Sequence, residues 1–218
     1  MKWYDKIEVV LKVEVVILKI GGLILMGGKN SRMGGYTKGL LRIQNMTFLE
    51  KIVAVFDRFP NVYLSINSKF TKDSKNKYEK MNLILVEDIY EGIGPLDGIY
   101  SAFKKCEEDY LMVTACDMPL ITKEYVDKLC SYLNKDVDVV VCYDENDRLY
   151  PLGAVYSKRV LPIAEDMIQN KHYKLRELID RSRSIKLSIE ELGFDSKILS
   201  NINTPLDYSD LLLDDTTA

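Results

Sequence analysis

Leu23-Ile-Leu-Met-Gly-Gly-Lys-Asn-Ser-Arg-Met-Gly-Gly-Tyr-Thr-Lys38 is the stretch on which the reading of this chain turns. Leu23–Met26 is a short apolar run that stops at Gly27-Gly28, the pattern of a buried strand followed by a tight loop. The loop carries Gly27, Gly28, Gly34 and Gly35 together with Lys29, Arg32 and Lys38. Glycine lets the backbone come close to a ligand and adopt positive φ, and successive backbone N–H groups then form an anion-binding nest. Arg32 and Lys38 add the positive charge that pyrophosphate oxygens require. A bare glycine cluster reads as a solvated surface loop. A strand, paired glycines and three cations in one stretch read as a phosphate site. It is not a Walker A loop, because Gly28-Lys29-Asn30 lacks the closing Gly-Lys-Ser/Thr, and no G-x-G-x-x-G fingerprint is present.

Outward from this loop, short apolar runs alternate with longer amphipathic segments. The pattern predicts strands at Val62–Ile66, Leu83–Val86, Tyr110–Thr114 and Val137–Val141. It predicts helices at Met46–Phe59, Leu96–Cys106, Lys123–Leu133, Lys158–Ile168, Tyr173–Asp180 and Pro205–Leu213, with Thr122 and Thr204 as N-caps. Ser68–Lys80 is polar and Lys-rich and reads as a solvated loop, with room for a short helix. Strand–helix alternation at this spacing predicts an α/β fold: a single-domain, three-layer sandwich with a mostly parallel, Rossmann-like sheet and helices on both faces. Such sheets bind ligands at the carboxyl ends of their strands, near a switch point. Gly27, Asn67, Asp88 and Asp117 fall at those ends.

At 218 residues the chain suits one domain with a full core. Residues 20–213 are assigned to it, 1–19 read as an extension of unknown role outside the site, and 214–218 as a disordered tail. Val9–Ile20 is rich in apolar residues, but Lys12, Glu14 and Lys19 interrupt it and no small-residue cleavage site follows, so neither a membrane helix nor a secretory signal is expected. A net charge of −3 advertises neither nucleic acid nor a membrane surface, so charge for a polyphosphate must be local. Cys106, Cys116, Cys130 and Cys142 form no CxxC pair and suit free thiols in the cytoplasm. His172, the single histidine, leaves no His-rich metal site and makes a Ser-His-Asp triad improbable.

Two acids stand out. Tyr110-Leu-Met-Val-Thr-Ala-Cys-Asp117-Met-Pro119 delivers one carboxylate at the end of an apolar strand. Mg²⁺ commonly takes one or two carboxylates plus substrate phosphates; equally, an Asp before Met-Pro caps a turn. The residues alone leave both readings of Asp117 open. Asp88 closes Leu85-Val-Glu-Asp88 before Gly94-Pro95-Leu96-Asp97-Gly98, and reads as a loop acid or as an acceptor for nucleotide hydroxyls or amines.

Leu25-Met26-Gly27-Gly28, Ser31-Arg32-Met33-Gly34 and Thr37-Lys38-Gly39-Leu40-Leu41 resemble the signature of the molybdenum cofactor guanylyltransferases, MobA-like members of the nucleotidyltransferase superfamily. That signature runs Leu-Ala-Gly-Gly, Ser/Arg-Arg-Met-Gly and Asp-Lys with two leucines. Met26 stands where alanine is usual and Thr37 where an acid is usual. Cys116-Asp117-Met-Pro119, Gly94-Pro95-Leu96, Tyr150-Pro151-Leu152-Gly153-Ala154-Val155-Tyr156, Tyr173-Lys-Leu-Arg176 and Asn201-Ile-Asn203-Thr204-Pro205 resemble further family segments. The resemblance spans residues 20–210.

The resemblance implies transfer of GMP from GTP to the phosphate of the molybdopterin cofactor, releasing pyrophosphate. It implies Mg²⁺ on Asp117 and catalytic roles for Arg32, Lys38 and Asp117. Leu25, Met26, Gly27, Gly28, Lys38, Asn67, Asp88, Gly94, Pro95, Leu96 and Asp117 would bind the nucleotide, with Ser65 the rival to Asn67 and Asp97 facing away from the base. Tyr150, Pro151, Arg176, Asn201 and Asn203 would face the acceptor. Other molybdenum cofactor biosynthesis proteins and apo-molybdoenzymes are the implied partners. Cytidylyl transfer, sugar-phosphate nucleotidyl transfer and a non-catalytic nucleotide-binding regulatory domain are the alternatives. As a loop cation, Lys38 is expected to matter for transfer and little for folding.

Overall fold

The computed structural model describes residues 18–26, 32–33, 36–67, 78, 81–90 and 92–216. The expectations for 1–17, for Gly27 and Gly28, and for most of 68–80 lie outside the described residues. So do the side chains of Arg32 and Thr37.

In chain order the strands are β1 (Ile20–Leu25), β2 (Arg32–Met33), β3 (Tyr36–Thr37), β4 (Arg42–Ile43), β5 (Met46–Thr47), β6 (Val62–Ile66), β7 (Ile84–Glu87), β8 (Tyr110–Ala115), β9 (Val139–Tyr143), β10 (Ala154–Ser157) and β11 (Ser184–Ser188). The helices are α1 (Phe48–Val55), α2 (Pro95–Lys105), α3 (Lys123–Cys130), α4 (Leu161–Gln169), α5 (Leu175–Asp180) and α6 (Pro205–Thr216). The main sheet has the order β11-β9-β10-β8-β1-β6-β7. β1 pairs in parallel with both β6 and β8, while β10 runs antiparallel between β8 and β9. β1 and β8 read as unbroken apolar runs because helices cover both faces of a parallel sheet, and both are buried almost throughout.

The two faces carry separate cores. Ile24, Leu64 and Met112 meet Ile52 of α1 and Val126 of α3. Leu23, Leu25 and Val113 meet Ile99 and Phe103 of α2, Met167 of α4 and Leu178 of α5. This is the expected three-layer α/β sandwich.

Local chemistry sets several element ends. Thr47 and Glu50 form a reciprocal capping box that starts α1 two residues later than the periodicity suggests, because Met46-Thr47 pairs with Arg42-Ile43. α1 also ends early. Phe56 and Phe59 fold into a turn with rings 5.4 Å apart, and Pro60 follows. Phe56 is seated directly over Gly22, where a Cβ would lie 2.4 Å from its ring, so β1 needs glycine there. Pro162, which lacks an N–H, sits in the first turn of α4, and Lys158–Val160 forms a 3₁₀ turn instead of joining the helix.

Further differences follow from tertiary contacts. β9 begins two residues late because Asp138 is engaged by the Arg159 and Arg183 side chains. β11 is a strand beyond those that the apolar runs predict. Its Ser-Ile-Lys-Leu-Ser alternation is that of a half-exposed edge strand, and it pairs in parallel with β9. α6 extends to Thr216, so the expected tail beyond Leu213 is helical for three more residues. Tyr78, in the segment read as a solvated loop, is helical and buried. At the other end, Lys19 already pairs with the sheet, its carbonyl accepting the N–H groups of Asp109 and Tyr110.

Candidate active site

The sheet changes its winding direction at β1: β6 and β7 lie on one side and β8 on the other. A crevice forms at the carboxyl end of such a reversal. The Cys116 N–H bonds the Leu25 carbonyl at 3.0 Å and the Met26 N–H bonds the Ser65 carbonyl at 3.1 Å, so the three strand ends stay together up to that edge. β2 and β3 pair as a small antiparallel hairpin, and Lys38 follows it in a 3₁₀ turn. Gly39 packs this turn between Met26 and Cys116, placing Lys38 over the β1–β8 crevice.

Here the structure gathers four residues from distant parts of the chain. Lys38 Nζ donates to Asp117 Oδ2 at 3.1 Å and to Asn203 Oδ1 at 2.5 Å. Asn201 Nδ2 donates to Asp117 Oδ1 at 2.9 Å. The Lys38 side chain is 4% exposed and that of Asp117 14%. The expectation that Lys38 is a loop cation with little part in folding is therefore corrected: it is a buried ion-pair partner. A buried lysine is stable only where its charge is matched, and Asp117 matches it.

The segment carrying the two asparagines is itself held from both ends. The Ile202 N–H bonds the Asp117 carbonyl at 2.8 Å, and the Ile202 side chain packs with Ile43, Phe48 and Leu211. Asp207 Oδ2 accepts the N–H groups of Asn203 and Thr204, each at 2.8 Å, and Thr204 Oγ1 accepts the Asp207 N–H. These N–H bonds hold the Asp207 carboxyl below its usual range. Asp207 was not among the expected residues, although Thr204-Pro-Leu-Asp207 has capping-box spacing.

A second group lies across β6 and β7. Ser65 Oγ donates to Asp88 Oδ1 at 2.6 Å. Burial pushes the Asp88 carboxyl up to about 6, against the Ser65 bond, and the nearby Asp97 adds to the rise. Gly94, at φ 78°, turns the chain into α2, and Leu96 is fully buried. Gly98 lets α2 press onto the strand ends; a Cβ there would sit 2.5 Å from Leu25 Cδ2 and 2.8 Å from Ser65 Oγ. Asn67 follows β6 at the same edge and is half-buried, while Ser65 is buried against Asp88. Asp97 is buried, and its carboxylate turns to the 89–90 backbone.

The acceptor-side residues are placed less uniformly. Tyr150 precedes β10 instead of lying within it. Its hydroxyl donates to Asp144 Oδ2 at 2.8 Å, and the Arg148 guanidinium lies 5.3 Å from its ring centre. The Pro151 carbonyl accepts the Tyr156 hydroxyl. Arg176 is exposed on α5 and lies 4.0 Å from Asp180, one turn on. Asp144 and Arg148 were not among the expected residues. Nothing in a polar hairpin loop distinguishes them before folding.

A strand-order reversal with a buried lysine–aspartate pair and polar residues gathered at the strand ends is the architecture of an α/β ligand-binding fold. The chain belongs to the MobA-like NTP transferase domain family, which it matches over residues 22–185. It is 31% identical over 204 residues to a protein of Clostridium perfringens named a probable molybdenum cofactor guanylyltransferase, covering 90% of this chain and 98% of that relative. A Flavobacterium johnsoniae protein of the same name is 32% identical, covering 86% and 94%. The fold matches the crystal structure of molybdopterin-guanine dinucleotide biosynthesis protein A from Archaeoglobus fulgidus with a TM-score of 0.74, at 21% identity, over 91% of this chain and all of that one.

Proposed function

We propose that this chain transfers GMP from GTP to the phosphate of the molybdopterin cofactor, forming the guanine dinucleotide cofactor and pyrophosphate. The observation that carries the reading is the Lys38–Asp117–Asn201–Asn203 cluster at the strand-order reversal, in a chain of this family. An acceptor phosphate oxygen attacks the α-phosphorus of GTP in line, and the bond to the β-phosphate oxygen breaks. The attacking group is already an anion, so no general base is required. Catalysis is positioning together with charge neutralisation. Arg32, in β2, and Lys38, directly after β3, are assigned to the triphosphate. Ser65, Asn67, Asp88 and the Gly94–Leu96 entry to α2 are assigned to the nucleoside, and Tyr150, Pro151, Arg176, Asn201 and Asn203 to the acceptor.

Mg²⁺ is part of this reading. Among the described residues no group of three or more His, Cys, Asp and Glu side chains could hold a metal. The donor set at Asp117, one carboxylate near the amide oxygen of Asn203, fits a hard cation that takes its remaining ligands from phosphates and water. Bound there, Mg²⁺ supplies charge neutralisation on phosphate oxygens. Asp117 would hold it, and Lys38, beside Asp117, would add positive charge for the triphosphate.

We also assign the reaction to the cytoplasm. The cysteines are free thiols, which suits a reducing compartment, and among the described residues no helix is long and apolar enough to cross a membrane. Apo-molybdoenzymes and other molybdenum cofactor biosynthesis proteins are the partners this product needs. The test is pyrophosphate release with molybdopterin cofactor and each NTP, beside calorimetric titration of GTP, CTP and UTP with magnesium. Turnover with GTP is expected. Tighter binding and faster turnover of CTP would replace this reading with cytidylyl transfer, and nucleotide binding without turnover would leave a regulatory domain.

A further inference from the structure

We infer that Asp97 is a positioning residue that holds the Asp88–Tyr90 turn in place for recognition of the nucleoside half of the triphosphate. This rests on the guanylyl-transfer reading above. Asp97 lies in the first turn of α2, where an exposed acid would be stabilised by the helix dipole alone. It is instead 1% exposed. Desolvating a carboxylate is costly unless hydrogen bonds compensate, and two of these come from backbone N–H groups outside the helix. Oδ2 accepts the Tyr90 N–H at 2.8 Å and Oδ1 the Ile89 N–H at 3.2 Å. Ser101, one helical turn on, donates its hydroxyl to Oδ1 at 2.8 Å and shares the Ile89 N–H at 3.0 Å.

The Ile89 and Tyr90 side chains give this turn little buried packing. Ile89 is 53% exposed and Tyr90 40%, two of the few large apolar side chains exposed in the described chain. The Tyr90 ring stands 6.0 Å from that of Tyr100, on the rim next to Asp88. The arrangement juxtaposes a carboxylate acceptor and an apolar, aromatic surface, the chemistry that meets the N–H groups and flat face of a nucleobase. Asp97 and Ser101 fix both on the end of a helix that is itself packed onto β1 and β6 through Gly98.

The test uses the full chain with Asp97→Asn and Ser101→Ala. Calorimetry measures binding of GTP and of inorganic tripolyphosphate, each with magnesium, and amide exchange is followed at Ile89 and Tyr90. Loss of a charge-assisted pair of bonds predicts GTP binding about tenfold weaker in Asp97→Asn. Tripolyphosphate binding should stay within about twofold and both amides should exchange faster. Ser101→Ala should show the same pattern with a smaller loss, and it carries the test if Asp97→Asn does not fold. Unchanged GTP affinity, unchanged amide exchange, or equal losses for GTP and tripolyphosphate would overturn the assignment. Failure of the guanylyl reading shows separately, as a wild-type chain that does not bind GTP, while the exchange measurement still decides whether Asp97 holds the turn.

Discussion

Replacing Lys38 by methionine keeps the length of the side chain and removes its charge. Asp117 Oδ2 then loses its donor while Oδ1 keeps Asn201, and Asn203 Oδ1 loses its partner as well. Breaking a fully buried pair from one side costs about 3–5 kcal/mol. The Asp117 side chain is 14% exposed, so water recovers part of this, and about 2–3 kcal/mol is expected. In a chain of this size that corresponds to a fall in Tm of about 4–12 °C. The Lys38→Met/Asp117→Asn double variant leaves no unpaired charge, and should recover about 1 kcal/mol or more relative to the sum of the single changes. Thermal unfolding of the four proteins by circular dichroism provides the cycle. A Lys38→Met protein melting within about 1 °C of wild type, or strictly additive changes, would refute the claim that this pair is buried and coupled.

Asp117→Asn alone should lose most magnesium-dependent pyrophosphate release, because neutralising phosphate charge is worth several kcal/mol in the transition state; turnover at the wild-type rate with saturating magnesium would make Asp117 a structural cap. GTP affinity should rise with pH around a midpoint near 6, as the Asp88 carboxyl ionises, and Asp88→Asn should flatten that profile in calorimetric titrations. Because burial raises this carboxyl, the folded state holds its proton more tightly than the unfolded one, so the Asp88 contribution to stability falls as pH climbs from about 4 to about 6. Gly98→Ala drives a Cβ into Leu25 and Ser65 and should cost about 1–3 kcal/mol in chemical denaturation, with weaker GTP binding because Ser65 must move from Asp88; an unaffected variant would show that α2 is not tightly seated.

Apolar periodicity and glycine placement made the α/β class, the central buried strands and most helix cores legible in the chain itself, because these depend on neighbours a few residues apart. The same is true of Asp117 just past the end of β8 and of the Thr204 cap. Element ends were less legible wherever a distant group intervened: Phe56, seated over Gly22, turns with Phe59 at the end of α1, and Asp138 between two arginines delays β9. The active-site cluster was a set of separate residues until folding. Lys38 is 79 positions from Asp117 and 165 from Asn203, and only the strand-order reversal at β1 brings them within hydrogen-bonding distance. That proximity turned an apparent loop cation into a buried ion pair. It also turned Asp97, which reads locally as a first-turn helix acid, into a tie between α2 and the turn after β7, since the energy of a buried charge is set by the groups that surround it in space.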